Sequence, residues 1–344
     1  MSRGWKKEIY VFIVVLVFAA PLITACGTTE GVNAQPVNSR ESTGPSYTLR
    51  LAESQTEDYP VTLGNRKFAE MVHEQTNGRI KIDVYPSGQL GDERSTIEQL
   101  QLGVLDFSRV SSSPLAEFNR DFGVFSLPYV FESGEHMWAF LDGETGTELL
   151  TSLHTSSLVG LTYYDAGGRS FFTKEPVETV EDLKELKIRI PQNKINIDLM
   201  TAFGAEAVPL PYGDVYQALQ EGVIDGAENN LPSYYFTRAY EVAPNYISNV
   251  HQTPPDVLLM SKTTWDKLTE EERMILKEAA HLSSLYQREI WKESEKKAIK
   301  KLEEHGVTIM EVTDSSSWKE AAKPVMEKYQ LHFLEVLEGV ERAK

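Results

Sequence analysis

This chain predicts two α/β domains, each built on a mostly parallel sheet covered by helices. Three observations carry that expectation. The first is a strand–helix–strand start: Tyr47 to Ala52 alternates, Phe68, Ala69, Met71 and Val72 form one helical face, and Ile80, Ile82 and Val84 alternate again. The second is an internal echo between Leu100-Gln101-Leu102-Gly103-Val104-Leu105-Asp106 and Leu219-Gln220-Glu221-Gly222-Val223-Ile224-Asp225. Each copy follows a Gly-Asp able to open a helix, Gly91-Asp92 and Gly213-Asp214. Each then reads as a helix stopped by a left-handed glycine and an immediate strand ending in Asp. The third is the helical run from Thr269 to His305, which reaches about 55 Å and so exceeds one small domain.

Taken in order, the body begins near Tyr47. A polar loop runs through Asp58-Tyr59-Pro60, and a helix is expected from Asn65 to a stop near Gly78. Leu158 to Asp165 reads as a strand running into Ala166-Gly167-Gly168-Arg169, where the glycines allow close backbone approach or a hinge. A short helix over Glu178 to Leu186 leads into the strand Lys187-Ile188-Arg189-Ile190. Ile195 to Phe203 is a helix closed by Gly204, and Val257 to Ser261 is an apolar strand after Pro254-Pro255. Acidic residues at the start of the Thr269–His305 run and lysines near its end match the helix dipole. One bridging helix and two helices broken near Ser283-Ser284 both remain open. A strand over Val307 to Val312 and a helix from Trp318 to about Leu337 complete the chain.

A length of 344 residues suits two domains, and 41% hydrophobic with 25% charged residues is a globular composition. A net charge of −17 argues against nucleic acid and anionic membrane surfaces as partners. It does not exclude a small anion, since a few desolvated arginines set a local potential. Residues 1–25 read as an export signal, with Arg3, Lys6 and Lys7 ahead of an apolar core too short for a membrane span. The only cysteine, Cys26, would become the first residue after cleavage; an incidental thiol in an uncleaved anchor is the other reading. Residues 26–45 are polar and read as a flexible tether.

No metal-ligand spacing, phosphate loop, nucleophile elbow or dinucleotide fingerprint occurs, so no cofactor is implied. What remains is a set of polar residues at strand ends and loops: Glu53, Gln55, Glu93, Arg109, Arg169, Arg189, Asn229 and Asn230. Alternation sends Ile188 and Ile190 to one face and Arg189 to the other. Arg109, inside an apolar strand, must either pair with a buried carboxylate or meet a ligand. Glu228 is placed to hold an arginine. Glu53 and Glu93, taken singly, read as solvated carboxylates.

Several phrases occur in one order: Tyr85-Pro86-Ser87-Gly88-Gln89-Leu90-Gly91-Asp92-Glu93, Leu127-Pro128-Tyr129-Val130-Phe131, Leu186-Lys187-Ile188-Arg189-Ile190-Pro191 and Gly222-Val223-Ile224-Asp225-Gly226-Ala227-Glu228-Asn229. Together they resemble the DctP-like solute-binding proteins of tripartite ATP-independent periplasmic (TRAP) transporters. The likeness implies a periplasmic-binding-protein-like fold that closes as a hinged trap, with strand crossovers and a long helix spanning both domains. Domain I is then expected at 46–166 plus 255–294, and domain II at 167–254 plus 295–344.

By the same likeness Arg189 would clamp a ligand carboxylate, with Arg169 as second arginine, Asn229 beside it and Tyr212 as a lining aromatic. From domain I, the Glu53-Ser54 region and Glu93 would meet polar groups of the ligand, Gln55 offers a further polar contact, and Arg109 stays open between ligand and internal pairing. Ser111 stands where sialate-binding members carry an acidic residue, which argues against sialate. Leu22-Ile23-Thr24-Ala25-Cys26 resembles a lipobox, implying a lipid anchor at Cys26 and an extracytoplasmic location. The expected function is capture of a sugar acid, a uronate or aldonate, for delivery to a membrane permease without catalysis. A C4-dicarboxylate or keto acid is the alternative ligand, and an extracytoplasmic hydrolase the alternative of another class.

Overall fold

The computed structural model describes residues 46–344, so the expected signal segment, tether and Cys26 lie outside the described residues. In chain order the strands are β1 (Tyr47–Ala52), β2 (Ile80–Tyr85), β3 (Phe107–Ser111), β4 (Leu158–Tyr164), β5 (Arg169–Thr173) and β6 (Lys187–Ile190). They continue as β7 (Glu206–Pro209), β8 (Gly226–Asn229), β9 (Asn245–Gln252), β10 (Asp256–Ser261) and β11 (Thr308–Glu311). A five-stranded sheet runs β2-β1-β3-β10-β4, and a six-stranded sheet runs β11-β9-β5-β8-β6-β7. We call these the first and second lobes.

The sheets are mostly parallel, as the sequence predicts, with β11 also parallel to β9 and one antiparallel strand in each sheet. β1 pairs parallel with β2 and β3, and β6 with β7 and β8. The chain, however, passes from β4 into β5 through 165–168 and from β9 into β10 through 253–255. The arriving strands run antiparallel: β10 against β3 and β4, β5 against β8 and β9. Each lobe therefore borrows strands that entered from the other, and the crossovers join them.

Other boundaries move for identifiable reasons. The first helix is Pro60–Gln75, five residues earlier than Asn65, because Pro60 occupies its first turn, where no amide is required. Asp106 and Asp225 precede their strands rather than ending them. Asp106 Oδ2 accepts from the Arg50 amide and Asp225 Oδ2 from the Lys187 amide, both at 2.9 Å, so each pins a neighbouring parallel strand. The glycines of the echo, Gly103 (φ 69°) and Gly222 (φ 74°), take the left-handed conformation. The segment near Glu178 is only the 3-10 turn Val180–Leu183, and the last helix divides into Ser316–Tyr329 and Leu334–Arg342. The bend between those two buries Phe333 against Gly123, where a Cβ would come within 2.7 Å of its ring.

The long helix is unbroken from Glu270 to Glu304, opened by a Thr269–Glu272 capping box. Ser283 and Ser284 do not break it. Both are buried against β4: Ser284 Oγ donates to the Tyr163 carbonyl at 2.6 Å, and Ser283 Oγ meets Tyr164 Oη at 2.8 Å. One turn on, Gln287 grips the first crossover by both ends of its amide, accepting from Asp165 N and donating to Asp165 O. Leu276, Ala279 and Trp291 enter a core with Leu51, Phe68 and Phe107, whereas Leu302 enters one with Phe172, Leu219 and Tyr246. The helix thus serves both lobes.

Gly167 in the first crossover has φ 60°, and a Cβ there would lie 2.9 Å from Trp291 Cζ2. Gly167→Ala should lower stability by about 1–2 kcal/mol through left-handed strain and the Trp291 contact. A urea midpoint equal to that of the parent protein would refute this account.

Candidate functional site

Strand direction brings the polar residues of the second lobe to one edge. Arg189 lies near the carboxyl end of β6 and Asn229 ends β8, while Arg169 begins the antiparallel β5. Opposite them the first lobe presents Gln55, Tyr59, Glu93, Arg109 and Asp256. Together these groups line a small cavity between the lobes, which opens toward solvent past Ser54, Glu93, Arg189 and Tyr212. Uncharged bonds join the two lobes beside it: Tyr212 Oη donates to Gln55 Oε1 at 2.7 Å, and Tyr59 Oη meets Ser233 Oγ at 2.9 Å. Burial raises the Tyr212 phenol to about 12, so it stays a neutral donor.

The three arginines have different partners. All five N–H groups of Arg109 are engaged: two by the Glu53 carboxylate, one by Ser54 Oγ at 2.9 Å, one by Glu93 Oε1 at 3.0 Å and one by Asp256 Oδ2 at 3.3 Å. Arg109 is 2% exposed, and its carboxylates hold its pKa high against the opposing effect of burial. Of the two roles left open by the sequence, the internal pairing is present, and Arg109 also borders the cavity. Glu53 is not a solvated carboxylate: it sits behind Arg109 and also accepts from Asn65 Nδ2 at 2.7 Å and the Gln55 amide at 2.8 Å. It does not line the cavity.

Arg169 is held by Glu228, the partner the sequence suggested. The Glu228 carboxylate engages Nε and Nη2, Nη2 also donates to the Glu228 carbonyl at 2.7 Å, and Nη1 donates to Asn229 Oδ1 at 3.2 Å. One N–H remains for anything in the cavity, and the charge is already balanced.

Arg189 differs from both. It is 4% exposed, and Nε and Nη2 donate to the Leu210 carbonyl at 2.9 and 2.6 Å. Among the described residues it makes no ion pair. Both protons of Nη1 and the second of Nη2 are left, the edge that takes a carboxylate in bidentate fashion. Burial and then the nearby Arg169 charge lower its pKa to about 10, as expected of a cation short of a counterion.

Two residues outside the expected set shape the electrostatics. Asp256 opens β10, is 5% exposed and is the third carboxylate on Arg109. Burial pushes its carboxyl up to about 7, Glu93 and Glu53 add to the rise, and Arg109 only partly offsets it. Its signal in the sequence was a lone acid directly after Pro254-Pro255, at the head of an apolar run. His251, packed on Phe171 behind Arg169, is lowered to about 3 by burial and then by Arg169, so it is neutral. Asn230, grouped with the polar set from sequence, caps the helix Leu231–Phe236 through Ser233 N and donates to the Ala166 carbonyl of the crossover. Among the described residues no cluster of His, Cys, Asp and Glu is arranged to hold a metal, the gathered carboxylates being organised around Arg109.

The family model described as "Bacterial extracellular solute-binding protein, family 7" matches residues 51–332. A protein of Chromohalobacter salexigens named "Solute-binding protein" is 38% identical over 260 residues, 75% of this chain and 77% of that protein. The crystal structure of a TRAP periplasmic solute binding protein from Xanthobacter autotrophicus Py2, with bound β-D-galacturonate, superposes with TM-score 0.84 at 38% identity. It covers 86% of this chain and 100% of that one. A TRAP periplasmic solute binding protein from Pseudomonas putida F1, with bound D-glucuronate, gives TM-score 0.84 at 34% identity over 86% and 97% of the two chains.

The raised Asp256 carboxyl has a thermodynamic consequence. The fold holds that proton more tightly than the unfolded chain does, so ionisation costs stability from about pH 4 and the full cost is reached above about pH 7. His251 acts oppositely, costing stability as pH falls below about 6.5. The comparison of Asp256→Asn with the parent isolates the first effect. In ligand-free urea unfolding the variant should gain on its parent between pH 5 and 8, by at most about 3 kcal/mol; a difference independent of pH would contradict the assignment.

Proposed function

The chain belongs to the bacterial extracellular solute-binding proteins of family 7, and from that premise we propose that it captures a sugar acid, a uronate or aldonate, for a TRAP permease. The observation that carries the reading is Arg189, a buried guanidinium with three N–H groups free and no counterion among the described residues. A ligand carboxylate supplies that counterion. Arg169 adds its single free N–H, and the Asn229 Nδ2 group, which has no acceptor among the described residues, adds another donor. The facing wall has the opposite character. Asp256 Oδ1 and Glu93 Oε2 accept no hydrogen bond among the described residues, and each can receive a hydroxyl.

A molecule with a carboxylate at one end and hydroxyls at the other matches both walls. The uronates bound by structures of the same fold support that class. Each charge-assisted hydrogen bond contributes about 1.5–3 kcal/mol, so the Arg189 contacts alone supply much of the roughly −8 kcal/mol of a micromolar complex. Capture proceeds by closure of the lobes about the crossovers at 165–168 and 253–255, with domain I as 46–166 plus 255–294 and domain II as 167–254 plus 295–344. The ligand is released unchanged to the permease, and the protein is held outside the cytoplasm by lipid on Cys26.

Calorimetry with D-galacturonate and D-glucuronate tests the reading. Arg189→Ala should weaken binding by at least about 100-fold, about 2.7 kcal/mol, while the far-UV spectrum and cooperative unfolding are retained. Arg189→Lys, which keeps the charge and loses the bidentate edge, should fall between the two. Undiminished affinity in Arg189→Ala would remove the clamp. Failure of the parent protein to respond to any sugar acid in a thermal-shift screen would remove the function.

A further inference from the structure

Arg109 is surrounded by more carboxylate than it can neutralise. Glu53 occupies Nε and one Nη2 proton, Glu93 takes one proton of Nη1, and Asp256 is left with the weakest contact, 3.3 Å to the same Nη1. Arg169, which faces Asp256 from the other lobe, is already neutralised by Glu228. Asp256 is therefore surplus negative charge, 5% exposed, with Oδ1 unengaged among the described residues and its side chain lining the cavity opposite Arg189.

A wall of this kind discriminates strongly between chemical ends. It accepts hydroxyl donors and repels a second carboxylate, because two like charges brought together away from bulk solvent cannot both remain ionised without cost. We propose that Asp256 is the specificity-determining residue that restricts the site to polyhydroxy monocarboxylates and rejects dicarboxylates of the same length. The inference rests on Arg189 holding the first carboxylate.

The selector is also sensitive to acid. The charged groups facing Asp256 are Arg109 on β3, Arg169 on β5, Glu93 at the head of its helix and Glu53 after β1. As pH falls through about 7, Asp256 takes up a proton, loses its charge and turns from acceptor to donor. The penalty on a second ligand carboxylate then relaxes. In Asp256→Asn the amide oxygen can stay on Arg109 and turn Nδ2 toward the cavity, which makes the same change permanently.

The experiment measures binding of D-galacturonate, D-galactonate and galactarate to the parent and to Asp256→Asn at pH 8. The last two acids differ only in carrying CH2OH or carboxylate at the far carbon. The parent should prefer whichever monocarboxylate binds tighter over galactarate by at least about 100-fold, and Asp256→Asn should narrow that ratio at least about 10-fold. A second arm uses only the parent protein, so it does not depend on how the variant folds. Its ratio should narrow between pH 8 and 6, where all three ligands stay ionised. A parent that binds galactarate as tightly as the monocarboxylates overturns the proposal, as does a ratio unmoved by both the substitution and pH. Loss of all sugar-acid binding by the parent instead overturns the proposed function, so the two failures are distinguishable.

Discussion

An uncompensated positive charge held largely out of bulk solvent is the constraint on which the site depends. Burying a guanidinium is costly unless something negative meets it, and in this fold two of three such groups are met internally. Arg109 has Glu53, Glu93 and Asp256; Arg169 has Glu228. Arg189 has a backbone carbonyl only. The asymmetry is one of charge: Arg109 with Glu53 ties together the first-lobe wall, Arg169 with Glu228 ties together the second, and Arg189 has no carboxylate partner among the described residues.

The architecture keeps these groups in register. Because β5 and β10 each enter a sheet from the other lobe, Arg169 and Asp256 both stand immediately after a crossover. The two residues that follow the crossovers therefore look into the cavity from opposite walls, and any change in the crossovers moves both. The long helix restrains this motion through Gln287, whose amide is fixed to Asp165, and through Trp291, which closes against Gly167. In the proposed capture, a continuous helix and two short crossover segments favour closure as a nearly rigid-body motion.

What could be read from the chain was local. The alternation in Ile188-Arg189-Ile190 placed Arg189 on the correct face, the glycine stops placed the echo, and the charge gradient of the long helix placed its ends. What escaped depended on distant partners. Glu53 looks like a loop carboxylate until Arg109, fifty-six residues away, comes to lie against it. Ser283-Ser284 looks like a weak point until β4 supplies the groups that bury it. β9 was missed because Asn245–Gln252 mixes polar and apolar residues, its hydrogen bonds going to β5 and β11 rather than to chain neighbours. Asp256 was passed over because nothing local marks a strand's first residue as the third acid on one arginine.

The bonds that join the two walls of the site link phenols, amides and hydroxyls, with no charged partner in the Tyr212–Gln55 or Tyr59–Ser233 contacts. Dissolved salt screens charges and leaves such contacts almost untouched. Rising ionic strength should slow the arrival of an anionic solute at Arg189 while leaving these neutral contacts nearly unchanged, so the medium would act on the encounter and on the exposed Lys344–Glu132 pair far more than on the bonds beside the site.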